Sequence, residues 1–249
     1  MRLDNYLLEN NYFNSRTKAK RAIEENAIMV NGTICDKPSF IVSDSDSITV
    51  VKETNKYVSQ GGLKLEAAIN EFFLDFSNLV ILDIGSSTGG FTDCALKHNA
   101  KKVYAVDVGS DQLDKSLRED KRVVSLENTN ILDLPQFEDK IDVIVTDVSF
   151  VSISHIFLAL KHYLEEAEML ICLVKPQFEV GKMHLKNGVV KDKKLHVEVL
   201  ENVNKLFNEN GLYINKAIKS PVKGGSGNQE FLIKVTKKKT GAINFREVV

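Results

Sequence analysis

The sequence is short of cysteine, of any surplus charge and of long apolar runs. Its three cysteines, Cys35, Cys94 and Cys172, are odd in number and far apart. That argues against a disulfide framework and against a cysteine metal site, so no bound metal and a reducing, cytoplasmic setting are expected. A formal net charge of −1 leaves any nucleic-acid affinity to local clustering. The opening residues Met1-Arg2-Leu3-Asp4-Asn5 lack the apolar core of a secretory signal. The longest apolar run, Met169 to Val174, has the length of a strand, so no membrane partner is expected. Repeats and low-complexity tracts are also missing.

What is present begins with Leu79-Val80-Ile81-Leu82-Asp83-Ile84-Gly85-Ser86-Ser87-Thr88-Gly89-Gly90-Phe91-Thr92. An unbroken apolar run of this kind reads as a parallel strand buried on both faces. A glycine-rich turn and a helix start follow, and a helix N-terminus presents free N–H groups. Downstream, strands alternate with helices. Strands are expected at 102–106, 123–126, 141–146 and 169–174, with helices at 91–97, 112–118, 154–164 and 196–208. The last two strands, 212–219 and 230–235, have no helix between them and are expected to pair antiparallel. The fold class is therefore α/β: a Rossmann-like methyltransferase sheet, mostly parallel with an antiparallel end. A small α+β module precedes it. The expected division is 1–51, a linker over 52–60, and 61–249.

In the first module, residues 2–10 and 16–25 read as short helices, with Asn14-Ser15 offering a cap to the second. Asn31-Gly32 between short apolar runs is a hairpin signal, and a last strand is expected at Ser47–Val51. Arg16, Lys18, Lys20 and Arg21 crowd one helix surface, and with Arg2 and Lys37 they form a candidate phosphate-neutralising face. A solvated helix face is the plainer alternative, since Glu24 and Glu25 follow directly.

Asp83-x-Gly85-x-x-x-Gly89-Gly90 lacks the spacing of the dinucleotide fingerprint, which disfavours a bound pyrophosphate and an oxidoreductase. S-adenosylmethionine carries no phosphate. Its amino-acid end asks for backbone amides and a carboxylate, which Asp83 and the glycine turn offer. Asp107 ends the next strand, where an acid accepts ribose hydroxyls. The expected cofactor set is Asp83, Gly85, Ser87, Gly89, Gly90, Phe91, Asp107, Val108, Asn128 and Asp147; a glycine turn that merely packs is the alternative. Asp147 and Lys175 follow two further strands, where side chains point at the ligand crevice of an open α/β sheet. Glu230 opens the final strand after a glycine-rich approach, and Lys64 lies just past Gly61-Gly62. Taken singly, each has a bland reading as a cap, a rim charge or a surface lysine. The stretch Glu179–Lys194 is long, polar and basic and is expected to be a mobile substrate loop at the crevice mouth, with a plain surface connection as the equal alternative.

Ser15-Arg16-x-x-Ala19-Lys20, Val30-Asn31-Gly32 and Lys37-Pro38-Ser39 resemble the RNA-binding domain named after ribosomal small-subunit protein four. There the family often has glycine where this sequence has Asn26, a residue type that also tolerates the left-handed conformation. Gly-Gly-x-Lys64-Leu, the Asp83–Thr92 motif, Asp147-Val-Ser-Phe150 and Lys175-Pro-Gln-Phe-Glu179 resemble the FtsJ-like ribose 2′-O-methyltransferases. Together the two parts resemble the TlyA (hemolysin A) family of rRNA methyltransferases over nearly the whole chain. The resemblance implies a catalytic set of Lys64, Asp147, Lys175 and Glu230, and S-adenosylmethionine as cofactor. It also implies cytidine 2′-O-methylation of rRNA within a ribosomal subunit or ribosome. Because the sequence starts directly in the RNA-binding module, it looks like the short type associated with large-subunit RNA. The competing readings are a non-catalytic ribosome-binding or assembly factor and a pore-forming hemolysin. The latter would need an amphipathic or apolar membrane element, and none is found.

Overall fold

Asn31 and Gly32 both adopt positive φ, 51° and 79°, and close a hairpin between β1 (Ile28–Val30) and β2 (Thr33–Ile34). A two-residue turn of this kind twists in the same sense as the strands it joins. β3 (Ile48–Val50) pairs antiparallel with the other edge of β1. Helices α1 (Leu3–Glu9) and α2 (Arg16–Glu24) share one core with this sheet, built on Leu3, Leu7, Ala19, Ala22, Ile23, Ile28 and Val42. Ser15 Oγ accepts the Lys18 N–H at 3.2 Å at the start of α2.

The structure, a computed structural model, describes residues 1–13, 15–24, 27–50, 56–224 and 227–249, and only the backbone of Arg21 and Lys182. Asn14, Glu25, Asn26, Val51, positions 52–55 of the expected linker and Gly225-Ser226 of the glycine-rich approach lie outside the described residues. The chain divides into two compact units, Met1–Lys56 and Tyr57–Val249. The second unit thus starts earlier than the expected linker end at 60. Tyr57 is buried in its core, and a Cβ added at Gly62 would meet the Tyr57 side chain at 2.1 Å. Tyr57 to Gln60 are therefore core-anchored chain rather than spacer.

The second unit opens with α3 (Gly61–Phe72) and then alternates strands and helices. These are β4 (Val80–Ile84), α4 (Gly90–Lys97), β5 (Lys102–Val106), α5 (Lys115–Arg118), β6 (Val123–Leu126), β7 (Val143–Thr146) and α6 (Ile153–Glu166). β8 (Met169–Val174), α7 (Pro176–Glu179), α8 (Lys193–Glu209), β9 (Tyr213–Lys219), β10 (Phe231–Thr236) and α9 (Phe245–Val248) complete it. The strands form one seven-stranded sheet in the order β6-β5-β4-β7-β8-β10-β9. All pairings are parallel except those of β10 with β8 and β9. Every β4 residue is buried, and the pleat divides them. Val80, Leu82 and Ile84 join a core with residues of α6 and α8, while Ile81 joins another with residues of α3 and α4.

Two element boundaries differ from expectation for local reasons. α5 begins at Lys115 rather than near Gln112, because Asp114 holds a non-helical backbone with ψ 139°, while the Glu127 carboxylate ties down the N–H groups of Gln112 (2.6 Å) and Leu113 (3.1 Å). Asp114 then caps the shortened helix through Ser116 N–H. α8 begins at Lys193, ahead of the expected His196, because Asp192 accepts the Lys194 N–H and serves as its N-cap.

Candidate active site

β4, β7 and β8 are consecutive parallel neighbours, so their carboxyl ends lie side by side. The glycine turn follows β4, Asp147 follows β7 and Lys175 follows β8. β10 runs the other way and pairs Phe231 with Val174, which sets Glu230 beside the same edge. Lys64 reaches this edge from the first turn of α3. Strand order and the start of α3 therefore gather residues from five distant stretches of sequence.

The four side chains form one connected ionic set, running Glu230–Lys64–Asp147–Lys175. Lys64 Nζ donates to Glu230 Oε2 at 2.7 Å and lies 3.6 Å from Asp147 Oδ2. Lys175 Nζ lies 2.6 Å from Asp147 Oδ1, outside hydrogen-bond alignment, and donates instead to Ser149 Oγ at 2.8 Å. Gln177 Nε2 makes a long bond of 3.4 Å to Glu230 Oε1. Lys64 and Lys175 are 8% exposed and Glu230 2%. Charged groups at such depth persist only when paired. Ser149 and Gln177 are partners that sequence reasoning passed over, although both lie inside the motifs quoted above.

The other expected ligand groups are distributed unevenly. Gly85, Ser87, Gly90 and Phe91 line a cavity of about 300 Å³ together with Ser59, Gln60 and Ser86. Asp147, Ser149 and Lys175 form another part of the same cavity wall. Gly89 caps α4 at φ 92°, where an added Cβ would strike Leu117 at 2.3 Å, so only glycine suits the position. Asp83 does not line the cavity. It is fully buried, Thr92 Oγ1 donates to its Oδ2 at 2.6 Å, and its Oδ1 has no partner. Burial pushes its carboxyl up to about 7, against the pull of Thr92. Asp107 accepts Ser87 N–H through Oδ2 and Gly109 N–H through Oδ1, both at 2.8 Å, and so fixes the glycine turn to the end of β5. Val108 is exposed, and exposed Asn128 holds a left-handed backbone with φ 55° while its N–H donates to Gly109 O.

Phe150 marks the rim beyond Asp147. It is 88% exposed, its φ is 67°, and its ring lies 5.1 Å from that of Phe178. Left-handed backbone at a bulky residue is strained and tends to mark functional sites. The expected mobile loop over Glu179–Lys194 is instead pinned in its second half. Asn228 Nδ2 donates to Gly188 O at 2.9 Å and its Oδ1 accepts Val190 N–H at 3.0 Å. His196 Nε2 contacts Val190 O at 3.1 Å. Val190 is buried, and buried backbone groups need such partners.

In the first unit, Arg2 and Arg16 both bond one buried carboxylate, that of Asp4. Lys20 and Lys37 are exposed, with Lys20 3.7 Å from Glu24, and Lys18 is half-buried. The Arg21 side chain lies outside the described residues. Among the described residues no helix is long and apolar enough to cross a membrane.

Comparison with known proteins matches residues 57–237 to the FtsJ-like methyltransferases and residues 1–48 to the S4 domain. Hemolysin A of Brachyspira hyodysenteriae is 44% identical over 237 residues, covering 93% of this chain and 98% of that protein. The 16S/23S rRNA (cytidine-2′-O)-methyltransferase TlyA of Mycobacterium tuberculosis is 37% identical over 236 residues, covering 93% and 88%. A solved Streptococcus thermophilus structure, provisionally described as a hemolysin, superimposes with a TM-score of 0.76 at 36% identity, covering 100% and 94%.

Proposed function

The chain belongs to the FtsJ-like methyltransferase family, in its S4-bearing TlyA and hemolysin branch, and from that premise we propose that it methylates the ribose 2′-hydroxyl of a cytidine in rRNA, using S-adenosylmethionine. The observation that carries this reading is the shared cavity, in which the glycine turn and the Asp147–Lys175 pair line one space. A cofactor held by the turn would thus meet a substrate held by the ionic set.

The residues suit S-adenosylmethionine. Ser86 Oγ is a buried polar atom without a partner on the cavity wall, and Asp83 Oδ1 is another close to the turn in sequence. α3 and α4 both start at the cavity, and a Cβ at Gly90 would collide with Ser59 Oγ at 2.3 Å and Gly62 N at 2.8 Å. The helix N-terminus of α4 favours a carboxylate. Gly85, Ser87, Gly89, Gly90 and Phe91 are assigned to the amino-acid end, with Asp83 toward its ammonium. Asp107, Val108 and Asn128 are assigned to the nucleoside. When bound, S-adenosylmethionine supplies the methyl group as an electrophilic sulfonium.

A ribose hydroxyl is a weak nucleophile at neutral pH and has to give up its proton as the methyl–oxygen bond forms. We assign that proton to Lys175 Nζ, which enters the step as the neutral amine, its own proton having passed to solvent beforehand, and which Ser149 and Asp147 hold in place. Asp147 also faces Lys64, and Lys64 is fixed from behind by Glu230, so the set acts as one preorganised unit. Phe150 offers an exposed face on which the base of the target nucleotide stacks. The basic face of the first unit supplies sequence-independent phosphate contacts. All four polar members of the ionic set are present and assembled, which disfavours a purely structural role on the ribosome.

The test is transfer of labelled methyl from S-adenosylmethionine to separated ribosomal subunits, 70S particles and naked rRNA. Label is expected on ribose of large-subunit RNA, and its loss is expected in Lys175→Ala with cofactor binding retained. Cofactor binding without label on any of these substrates would overturn the enzymatic reading.

A further inference from the structure

Asp4 sits in the first turn of α1, inside the unit's core side of the helix, and is 1% exposed. A carboxylate at that depth needs a full set of donors. Arg2 supplies Nε to Oδ1 at 3.0 Å and Nη2 to Oδ2 at 3.1 Å. Arg16, twelve residues on, supplies Nε and Nη2 to the same Oδ2 at 3.0 and 2.9 Å. The Asn5 N–H completes the shell at Oδ1. Both arginines turn the same edge of the guanidinium, Nε and Nη2, toward Asp4. Their Nη1 groups remain outside these bonds, and the two side chains are 44% and 55% exposed. A guanidinium carries its donors in a rigid planar fork, so fixing one edge fixes where the other points.

We propose that Asp4 is the positioning residue of the RNA-binding face, holding the Arg2 and Arg16 guanidiniums side by side with their outer edges presented to neighbouring phosphates. The proposal rests on reading the first unit as RNA-binding. Two cations so close repel, and the buried anion between them removes that penalty while leaving a net positive charge at the surface. The arginines hold the Asp4 carboxyl at about 2, so it remains ionised through the neutral range. Because side-chain freedom has been given up before binding, the phosphate contacts cost less entropy when they form.

The role gives a sign that charge alone does not. Removing a negative group from a phosphate-binding face should tighten RNA binding if only net charge matters. If Asp4 positions the arginines, Asp4→Asn weakens it. The experiment measures the Kd of the full chain for transcribed large-subunit rRNA, with Asp4→Asn, the double variant Arg2→Ala/Arg16→Ala and the triple variant. Asp4→Asn is expected to raise Kd by about tenfold, the scale of a lost charged hydrogen bond. In the double-alanine background the same change is expected to do nothing or to tighten binding slightly. In the methyl-transfer assay, KM for RNA rises while kcat holds. Unchanged or tighter binding by Asp4→Asn overturns the proposal, and so does an equal loss in both backgrounds, which marks a residue needed only for folding. If the double-alanine variant binds like wild type, the RNA-binding reading of this face fails and takes the proposal with it. Should Asp4→Asn unfold the unit, Arg2→Lys/Arg16→Lys keeps both charges but not the paired donors. It carries the same expected tenfold loss, and wild-type affinity in it overturns the proposal.

Discussion

Lys64 Nζ and Glu230 Oε2 meet at 2.7 Å across 166 residues of sequence, both nearly excluded from solvent. The space for that contact is kept by a glycine outside the ionic set. A Cβ built on Gly224 would stand 2.0 Å from Glu230 Oε1 and 2.6 Å from its Cδ. Gly224→Ala therefore has to displace the carboxylate, the free end of its side chain, rather than backbone. The expected result is a folded protein with little loss of thermal stability and intact cofactor binding, but kcat lowered on the order of 10²-fold. A variant with wild-type kcat would show that Lys64 does not need Glu230 to be placed.

Asp83, proposed above as a cofactor group, carries a charge that burial makes costly. Its folded carboxyl is pushed up to about 7 by burial, with Asp147 and Asp107 adding to the effect, while the unfolded value is near the ordinary 3.8. A raised carboxyl contributes fully below about pH 4, and that contribution is lost as pH climbs toward 7. At pH 7.5 the group is therefore a liability, kept in spite of its cost. Asp83→Asn preserves an acceptor for Thr92 and is expected to raise stability at pH 7.5 by on the order of 2 kcal/mol, with the gain fading near pH 4.5. It is also expected to weaken S-adenosylmethionine binding, read by calorimetry. Stabilisation with unchanged binding would remove Asp83 from the cofactor set.

Phe150 holds a left-handed backbone at a cost of roughly 1–3 kcal/mol and exposes most of its ring. Phe150→Ala is expected to lower kcat/KM for rRNA about 10- to 100-fold, the scale of one base–aromatic stack. S-adenosylmethionine affinity should not move, and Phe150→Tyr should restore most of the rate. Equal loss in the tyrosine variant would point to a backbone role instead of a stacking surface.

The parallel sheet was readable because strands such as Val80–Ile84 and Met169–Val174 are apolar without interruption, as burial on both faces demands. The strand-end rule likewise brings Asp147 and Lys175 to one crevice, and the antiparallel end follows from the missing helix before Glu230. What stayed hidden are bonds between distant residues. Nothing local tells that the Glu127 carboxylate reaches back to the N–H groups of Gln112 and Leu113, or that Asp83 spends one oxygen on Thr92. The arginines of the first unit read as loose charges on a helix face until Asp4 is seen to gather them. The polar 179–194 stretch read as mobile for the same reason, since its anchors, Asn228 and His196, lie outside the stretch.

The last of those anchors makes the loop sensitive to acid. His196 is buried against Phe231, and its Nε2 has to carry the hydrogen to face the Val190 carbonyl. Burial holds the imidazole below the ordinary histidine range; the Val190 bond and Asp192 pull it up, while Lys193 and Lys219 push it down. The unfolded chain thus takes up a proton first, near pH 6.5. The neutral ring's contribution is complete above that pH and is lost as pH falls toward the folded value. Between pH 7.5 and 5.5 the urea midpoint of the wild type is expected to fall, and proteolysis within 180–190 to quicken. His196→Gln keeps a donor for Val190 but cannot titrate, so its midpoint should change less over the same range. An identical fall in both proteins would place the acid sensitivity elsewhere and leave His196 as packing alone.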